Sequence, residues 1–519
     1  MLSPGRELKL LIRHNSDALV LTIFALFLYL PLMSCSFDEW DSYNFAFALK
    51  EYDISLSKPH PPGYPVYAFV GRVVLSLTGS PLTALTLVSA ISGALVIAAV
   101  CLLTRMMYDR KTAVLVSLAM MFTPGLWIGS ESALTDSLFT FLLIMALCFL
   151  YSGTKGRNGM TQGSWFTYGL AVGVRPNPAS LTFLPLWFLI TIRTVKNVGR
   201  MVAAIKGALL FVASCLIWFI PMILRTGWDR YWVAMHQQLI GSSTVEFVWA
   251  RTHGLDPTGR LEHIIMQILV FSLGGAFPGA DPIFASTNPS VHLHGVFLIV
   301  AIAMCIANMR RIVAKSFLFL WVVPYFVFTY LFGTLNYPRY YLPIIPAIVI
   351  VLIPSIIVET RSIFQRLQIP QRTSRLWCNI HLVFAVVLLV SFFVHTFPLA
   401  VIIHNQPAPT RQLFEYVTVN YPPGTTLIEF HEHRVFQFYE NGIQYLHCRL
   451  DEKKVMDVLS SISSDRSLLI TTSAYEYLAS HTAVAELRVD FLIEFFRDPH
   501  VVVEDHRICL YRITSARLR

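Results

Sequence analysis

Charge is what this sequence has least of: Asp, Glu, Lys and Arg make up 14% of its 519 residues, against roughly a quarter in a soluble domain. That shortage excludes a water-facing surface over most of the chain. Cysteine is also sparse, with eight scattered residues and no CxxC pair, so neither a disulfide framework nor a zinc-ligand spacing is written here. No Asn-x-Ser/Thr triplet with a permitted middle residue occurs, which favours the plasma membrane of a prokaryote over a glycosylating lumen such as the endoplasmic reticulum. The formal charge of +9 is dispersed among short loops rather than gathered on one basic stripe, which argues against a nucleic-acid partner.

What is abundant is apolar length. Runs of about 18 hydrophobic residues or more recur between positions 17 and 403, each able to cross a hydrocarbon core of about 30 Å. Arg6, Lys9 and Arg13 precede the first run, 18–35, so the positive-inside rule puts the N-terminus in the cytoplasm and makes this run a retained anchor. Further runs follow at 82–103, 112–128, 137–151, 165–192, 208–224, 294–307, 317–332, 341–358 and 377–403. The one at 165–192 is broken by Arg175, Pro176, Asn177 and Pro178, so it reads as two short helices. The pattern predicts an α-helical polytopic membrane protein of about eleven transmembrane helices with an extracytoplasmic C-terminus.

Segments outside these runs are read more coarsely. Stretches 43–52 and 64–77 predict helices lying at the outer membrane surface. Residues 225–262 read as a long outer loop, and 264–277 as re-entrant or interfacial. Beyond the transmembrane module, 1–403, residues 404–519 change character. Short strand-like runs at 426–430, 468–472 and 508–513 alternate with amphipathic helical stretches such as 453–461, which predicts a small extracytoplasmic α/β domain. It carries neither a Gly-rich phosphate loop nor a nucleophile elbow.

The chemistry concentrates in the first outer segment, 36–80. Asp38, Glu39 and Asp41 lie within four residues where the first run ends. Acids often mark the end of a span, but carboxylates crowded near a low-dielectric surface raise one another's pKa until a cation or proton relieves them. One of them is a candidate general base for a hydroxyl acceptor. Downstream, His60 begins the run His-Pro-Pro-Gly-Tyr-Pro. Pro61 and Pro62 lack amide protons and restrict the residue before each, so this chain is expected to be extended and rigid, displaying His60 at a fixed place. Glu131 and Asp136 follow the third run, as an acidic pocket or as helix caps. Loop histidines 236, 253, 292 and 294 show no metal spacing, and no metal or other cofactor is indicated.

The Asp-Ser-x-Asn-Phe run at 41–45, its distance from HPPGYP at 60–65, and Glu131 with Asp136 resemble the transmembrane O-mannosyltransferase family. More distantly they are similar to protein O-mannosyltransferases and to the bacterial aminoarabinose transferases of the GT-C glycosyltransferase superfamily. The Arg-Tyr-Tyr-Leu-Pro segment beginning at Arg339 is similar to one that opens a late helix in many such enzymes. The resemblance implies a GT-C fold and an inverting transfer of a sugar from a polyprenyl- or dolichyl-phosphate donor to a hydroxyl of a protein, glycan or lipid. It puts Asp41 at the catalytic carboxylate. Ser42 and Asn44 stand where relatives carry a second acid, which leaves Glu39 or Asp38 as its partner. A lipid-phosphate leaving group gains negative charge as its bond breaks, and needs cations. Arg339, Arg175, His60 and Lys58 are the candidates, arginine suiting phosphate best. Two other readings stay open: a transporter or flippase of lipid-linked sugars, and a non-catalytic scaffold of a glycan assembly complex.

Overall fold

The computed structural model describes residues 4–518 apart from 157, 195–198, 246–255, 276–288, 309–314, 334–336, 367–370, 431, 441, 461–467, 481–483, 499 and 502–505. Helix α1 (Pro4–Tyr29) leads into α2 (Trp40–Lys50), α3 (Pro65–Thr78) and α4 (Pro81–Met107). On α1, Ala18, Leu21, Ala25 and Tyr29 pack inward while Leu19, Val20, Ile23 and Phe27 stay exposed. A helix apolar on both faces has lipid for its solvent. The bundle centres on α4, where Ser89, Ala90, Ser92, Gly93 and Ala94 are small enough for backbones to approach closely. A β-carbon at Gly93 would collide with Ser130.

Two breaks position the site. The run 112–128, read above as one span, is broken into α5 (Arg110–Phe122) and α6 (Pro124–Glu131), bent by 58°. Pro124 has no amide to continue the ladder of α5 but suits the first turn of α6. After α7 (Asp136–Gly153) and α8 (Asn158–Val174), the chain turns at Arg175 into α9 (Pro178–Leu181) and α10 (Leu184–Thr194). Asn177 caps α9, its side chain accepting the amide of Ser180 at 3.0 Å. The next helix, α11 (Gly199–Thr226), exposes Leu209, Val212, Leu216, Ile220 and Leu224 on its outer face.

The segment 225–262 is largely not a loop: α12 (Trp228–Val245) and α13 (Pro257–Met266) occupy it. His236 lies in α12, and His253 lies outside the described residues. After α13 the chain continues as a wider helical turn, Gln267–Ser272, and ends at Gly274. His292 and His294 are also helical, in α14 (Pro289–Asn308). His294 is buried, with one ring nitrogen 2.7 Å from Ser391 Oγ and the other 2.8 Å from the Leu273 carbonyl. Then come α15 (Lys315–Phe332), α16 (Ile345–Arg366) and α17 (Gln371–Asn405). Among the described residues five helical stretches are long and apolar enough to cross a membrane, or six if the bent α5–α6 pair is one span.

Beyond α18 (Pro409–Asn420) a five-stranded sheet forms from β1 (Thr426–Glu429), β2 (Gln444–His447), β3 (Leu468–Thr471), β4 (Val484–Phe496) and β5 (Arg507–Leu518), in the order β2-β1-β3-β5-β4. The first three are mutually parallel, and β5 and β4 close the sheet antiparallel. Between them run α19 (His433–Tyr439), α20 (Glu452–Ser460) and α21 (Thr472–Ser480). The domain is laced to the end of α1. The amide of Ala408 donates to Ser36 Oγ at 2.8 Å, His404 Nδ1 meets the Met33 carbonyl at 2.9 Å, and Phe37 packs edge-on to Phe438.

Candidate active site

Asp41 sits in the first turn of α2, where the helix dipole favours an anion. Its carboxylate meets two groups from distant parts of the chain. Arg339 Nη2 donates to Oδ2 at 2.7 Å, and His60 Nε2 lies 3.4 Å from Oδ1. The same guanidinium reaches Glu39 through Nη1, so one arginine spans two carboxylates two residues apart. This is the fork geometry that lysine lacks.

His60 is held by a turn rather than by the extended chain expected. Asp53 and Lys58 exchange backbone hydrogen bonds at 2.8 and 3.0 Å, the Lys58–Pro59 and Pro61–Pro62 peptides are cis, and the Gly63 amide donates to the His60 carbonyl at 3.1 Å. Proline's fixed φ serves turns as well as extended chain. Gly63 adopts φ +112°, and a β-carbon there would lie 2.5 Å from Ile54 Cδ1, so only glycine fits. Asn44, at a position where an acid was expected, instead donates from Nδ2 to His60 Nδ1 at 3.4 Å. The ring proton is thereby assigned to Nε2, which faces Asp41 and stands 2.9 Å from Tyr64 Oη.

Arg339 projects from the short turn Pro338–Tyr341 between α15 and α16. Tyr325 Oη donates to the Tyr340 carbonyl at 2.6 Å and fixes that turn. The Tyr340 ring lies between two cations, with Arg339 5.5 Å and Arg175 4.6 Å from its centroid. Arg175 in turn is ion-paired with Asp136, both side chains being buried. Arg175 and Asp136 thus form a second layer behind Arg339.

Burial pushes the Asp41 pKa up, but His60, Arg339 and Arg175 outweigh it and hold the carboxyl below the ordinary aspartate range. Burial likewise opposes the charge on Arg339, and Glu39 with Asp41 overcome it. His60 goes the other way: burial lowers its pKa, Asp41 pulls upward, and the surrounding arginines help keep the imidazole neutral. The site therefore holds an ionised aspartate, a neutral histidine donor and a fixed cation. A cavity opens beside Glu39 and Arg339, walled by Ile128 and Gly129 of α6, Phe271 and His500.

Three other predicted residues lie elsewhere. Asp38 turns away from Asp41 and pairs with Arg497 at 2.6 Å, both side chains sealed at 1% and 0% exposure. Ser34 Oγ donates to the same carboxylate at 2.9 Å, and Arg497 Nη2 donates to the Ile403 carbonyl at 2.8 Å. Lys58 pairs with Glu51 at 2.7 Å near the surface. Glu131 is fully buried and accepts from Trp127 Nε1 at 2.6 Å. Sequence reasoning missed Arg497, Tyr340 and Arg434, whose guanidinium lies 5.2 Å from the Trp40 ring. The partners of Arg497 and Arg434 are hundreds of positions away, and Tyr340 draws its role from bridging Arg339 to the distant Arg175; one sequence carries no signal of such pairings.

A family model described as dolichyl-phosphate-mannose-protein mannosyltransferase matches residues 58–218, a stretch that runs from the His60 turn through Arg175. No curated protein matches the chain in sequence. Among solved structures, ArnT from Cupriavidus metallidurans bound to undecaprenyl phosphate superposes with a TM-score of 0.57 at 14% identity, covering 95% of this chain and 97% of that one. The oligosaccharyltransferase of Archaeoglobus fulgidus, tethered to an acceptor peptide containing the NVT sequon, gives 0.54 at 12% identity over 89% and 70%. At such identities the likeness establishes architecture, and the architecture is the GT-C fold.

Proposed function

We propose that this GT-C chain is a membrane glycosyltransferase that moves a sugar, in the first instance mannose, from a polyprenyl- or dolichyl-phosphate donor to a hydroxyl acceptor on the extracytoplasmic side. The observation that carries the reading is the Asp41–Arg339 pair at 2.7 Å on the bundle end that meets the α/β domain. Asp41 removes the acceptor proton as the acceptor oxygen attacks the anomeric carbon. The bond from that carbon to the phosphate oxygen breaks, and the lipid phosphate departs carrying the electron pair. Attack opposite the leaving group inverts the anomeric configuration. Arg339 exchanges one carboxylate for the departing phosphate, and an arginine fork suits that anion. The apolar wall of the cavity beside Arg339 suits the first isoprene units. ArnT, with the same fold, was solved with undecaprenyl phosphate, and that bound lipid supports the donor class.

In this reading the N-terminus is cytoplasmic, the α/β domain is extracytoplasmic, and the bundle makes about eleven crossings once the shorter apolar helices are counted. The membrane is the plasma membrane of a prokaryote. The test uses purified protein in vesicles, polyprenyl-phosphate mannose and hydroxyl acceptors of protein, glycan and lipid type. Release of polyprenyl phosphate together with an inverted glycoside is the expected result. Passage of the intact donor across the vesicle without transfer would establish the transporter instead, and neither event would leave a scaffold.

A further inference from the structure

We propose that the C-terminal domain binds one divalent transition-metal ion, of which zinc is the natural candidate, through Glu429, His433 and His447. Glu429 ends β1 and His447 ends β2, and the two are register partners across a parallel pairing. His433 opens α19, four residues after Glu429. The three therefore meet at the carboxyl ends of parallel strands, the edge where α/β sheets hold their ligands. One ligating atom from each lies within 4.8 Å of the others, and the two imidazole rings have centroids 5.5 Å apart.

The carboxylate is built for a ligand. Glu429 is fully buried. Its Oε2 accepts the His433 amide at 2.9 Å and faces His433 Nδ1 at 3.3 Å, while Oε1 is buried without a hydrogen-bond partner among the described residues. A buried carboxylate oxygen left unpaired is costly, and a cation satisfies it. Two imidazoles and one carboxylate form the donor set of a zinc site that keeps a fourth position open. His447 Nδ1 accepts the amides of Arg449 and Leu450 at 3.2 and 3.1 Å. Coordination through that lone pair exchanges those two bonds for one to the ion, so the turn after β2 should rearrange on binding.

The place of the site gives it consequence. The His433 ring lies 6.5 Å from that of Trp40, the residue before Asp41, and Arg434 stacks over the same indole. The ion would fasten the corner between β1 and α19 against the start of the helix that carries Asp41. This inference stands independently of the transferase reading, because binding is read without donor or acceptor.

The full-length chain, stripped with a chelator, is titrated with cobalt(II) as a spectroscopic stand-in and then with zinc. One cobalt per chain is expected, with the visible bands of a low-coordinate site, displaced by zinc, and with faster amide hydrogen exchange in residues 448–451. Glu429→Gln, His433→Gln and His447→Gln should each weaken cobalt binding by about tenfold or more, while His506→Gln, outside the cluster, leaves it unchanged. Should Glu429→Gln fail to fold, the two histidine variants decide. Absence of stoichiometric binding to the parent chain, or binding undiminished in His433→Gln and His447→Gln, overturns the assignment.

Discussion

Asp38 and Asp41 lie three residues apart, each gripped by an arginine from far along the chain, and the two pairs do different work. Asp38 and Arg497 are closed from solvent at 1% and 0% exposure, and Ser34 and the Ile403 carbonyl supply further bonds. Asp38 lies along the cavity beside Glu39 and Arg339, but its side chain is committed to Arg497, and the pair ties the exit of α1 to the α/β domain. Asp41 and Arg339 keep 23% and 11% exposure, Arg339 borders a cavity together with Glu39, and Asp41 faces His60. Where desolvation is complete the ion pair is a clasp; where a side stays open it is a reagent. The residue type is the same, and packing decides the role.

The sharpest way to break this contrast is Asp41→Asn, which keeps the shape and one acceptor oxygen but cannot take a proton. Transfer should fall by about a thousandfold or more, while the thermal unfolding midpoint in detergent stays close to that of the parent. Next in size is Asp38→Asn, which leaves the Arg497 charge buried without a counter-ion. That exchange should cost roughly 3–5 kcal/mol of stability, read as a lowered unfolding midpoint, with transfer per folded molecule retained. An Asp38→Asn protein that is fully stable yet inactive would reverse the two roles.

Smaller effects sharpen the picture. Arg339→Lys keeps a positive charge but loses the fork that spans Glu39 and Asp41, so transfer should drop roughly 10–100-fold. It also bears on pH. In the parent, cations hold the Asp41 carboxyl below its ordinary range, so the base stays ionised as pH falls and the acid limb of kcat/KM lies below the ordinary aspartate range. With the fork gone the upward push of burial is less opposed, and that limb should move to higher pH. An unmoved limb would detach Asp41 from the titration. Lys58→Ala should change transfer by no more than about twofold, because the Lys58–Glu51 pair is partly exposed at 29% and 56% and exposed pairs contribute little.

Much of this was legible along the chain. Apolar runs located the helices, Pro176 and Pro178 marked the break after α8, and the run of Asp41 with HPPGYP pointed to the carboxylate and histidine that the structure brings together. Local signals also misled. Thr123 and Pro124 bend what hydropathy alone draws as one span, and a polar composition disguised α12 as a loop. The proline run was read as extended, although proline's restricted φ fits a turn equally well. Of the domain's strands, β2 and β4 escaped notice, since the exposed and half-buried residues of β4 alternate irregularly around its bulges. What no single sequence displays is the Asp38–Arg497 clasp, whose members stand 459 positions apart. Only the assembled fold separates the clasp from the reagent.

The most direct measurement is a single-turnover experiment in nanodiscs with polyprenyl-phosphate mannose, following donor binding and sugar transfer separately in Asp41→Asn and Asp38→Asn. Near-normal donor binding without transfer is the predicted result for Asp41→Asn, with transfer preserved in the folded fraction of Asp38→Asn. Transfer at parental rates by the Asp41→Asn protein would contradict the assignment of that carboxylate as the base.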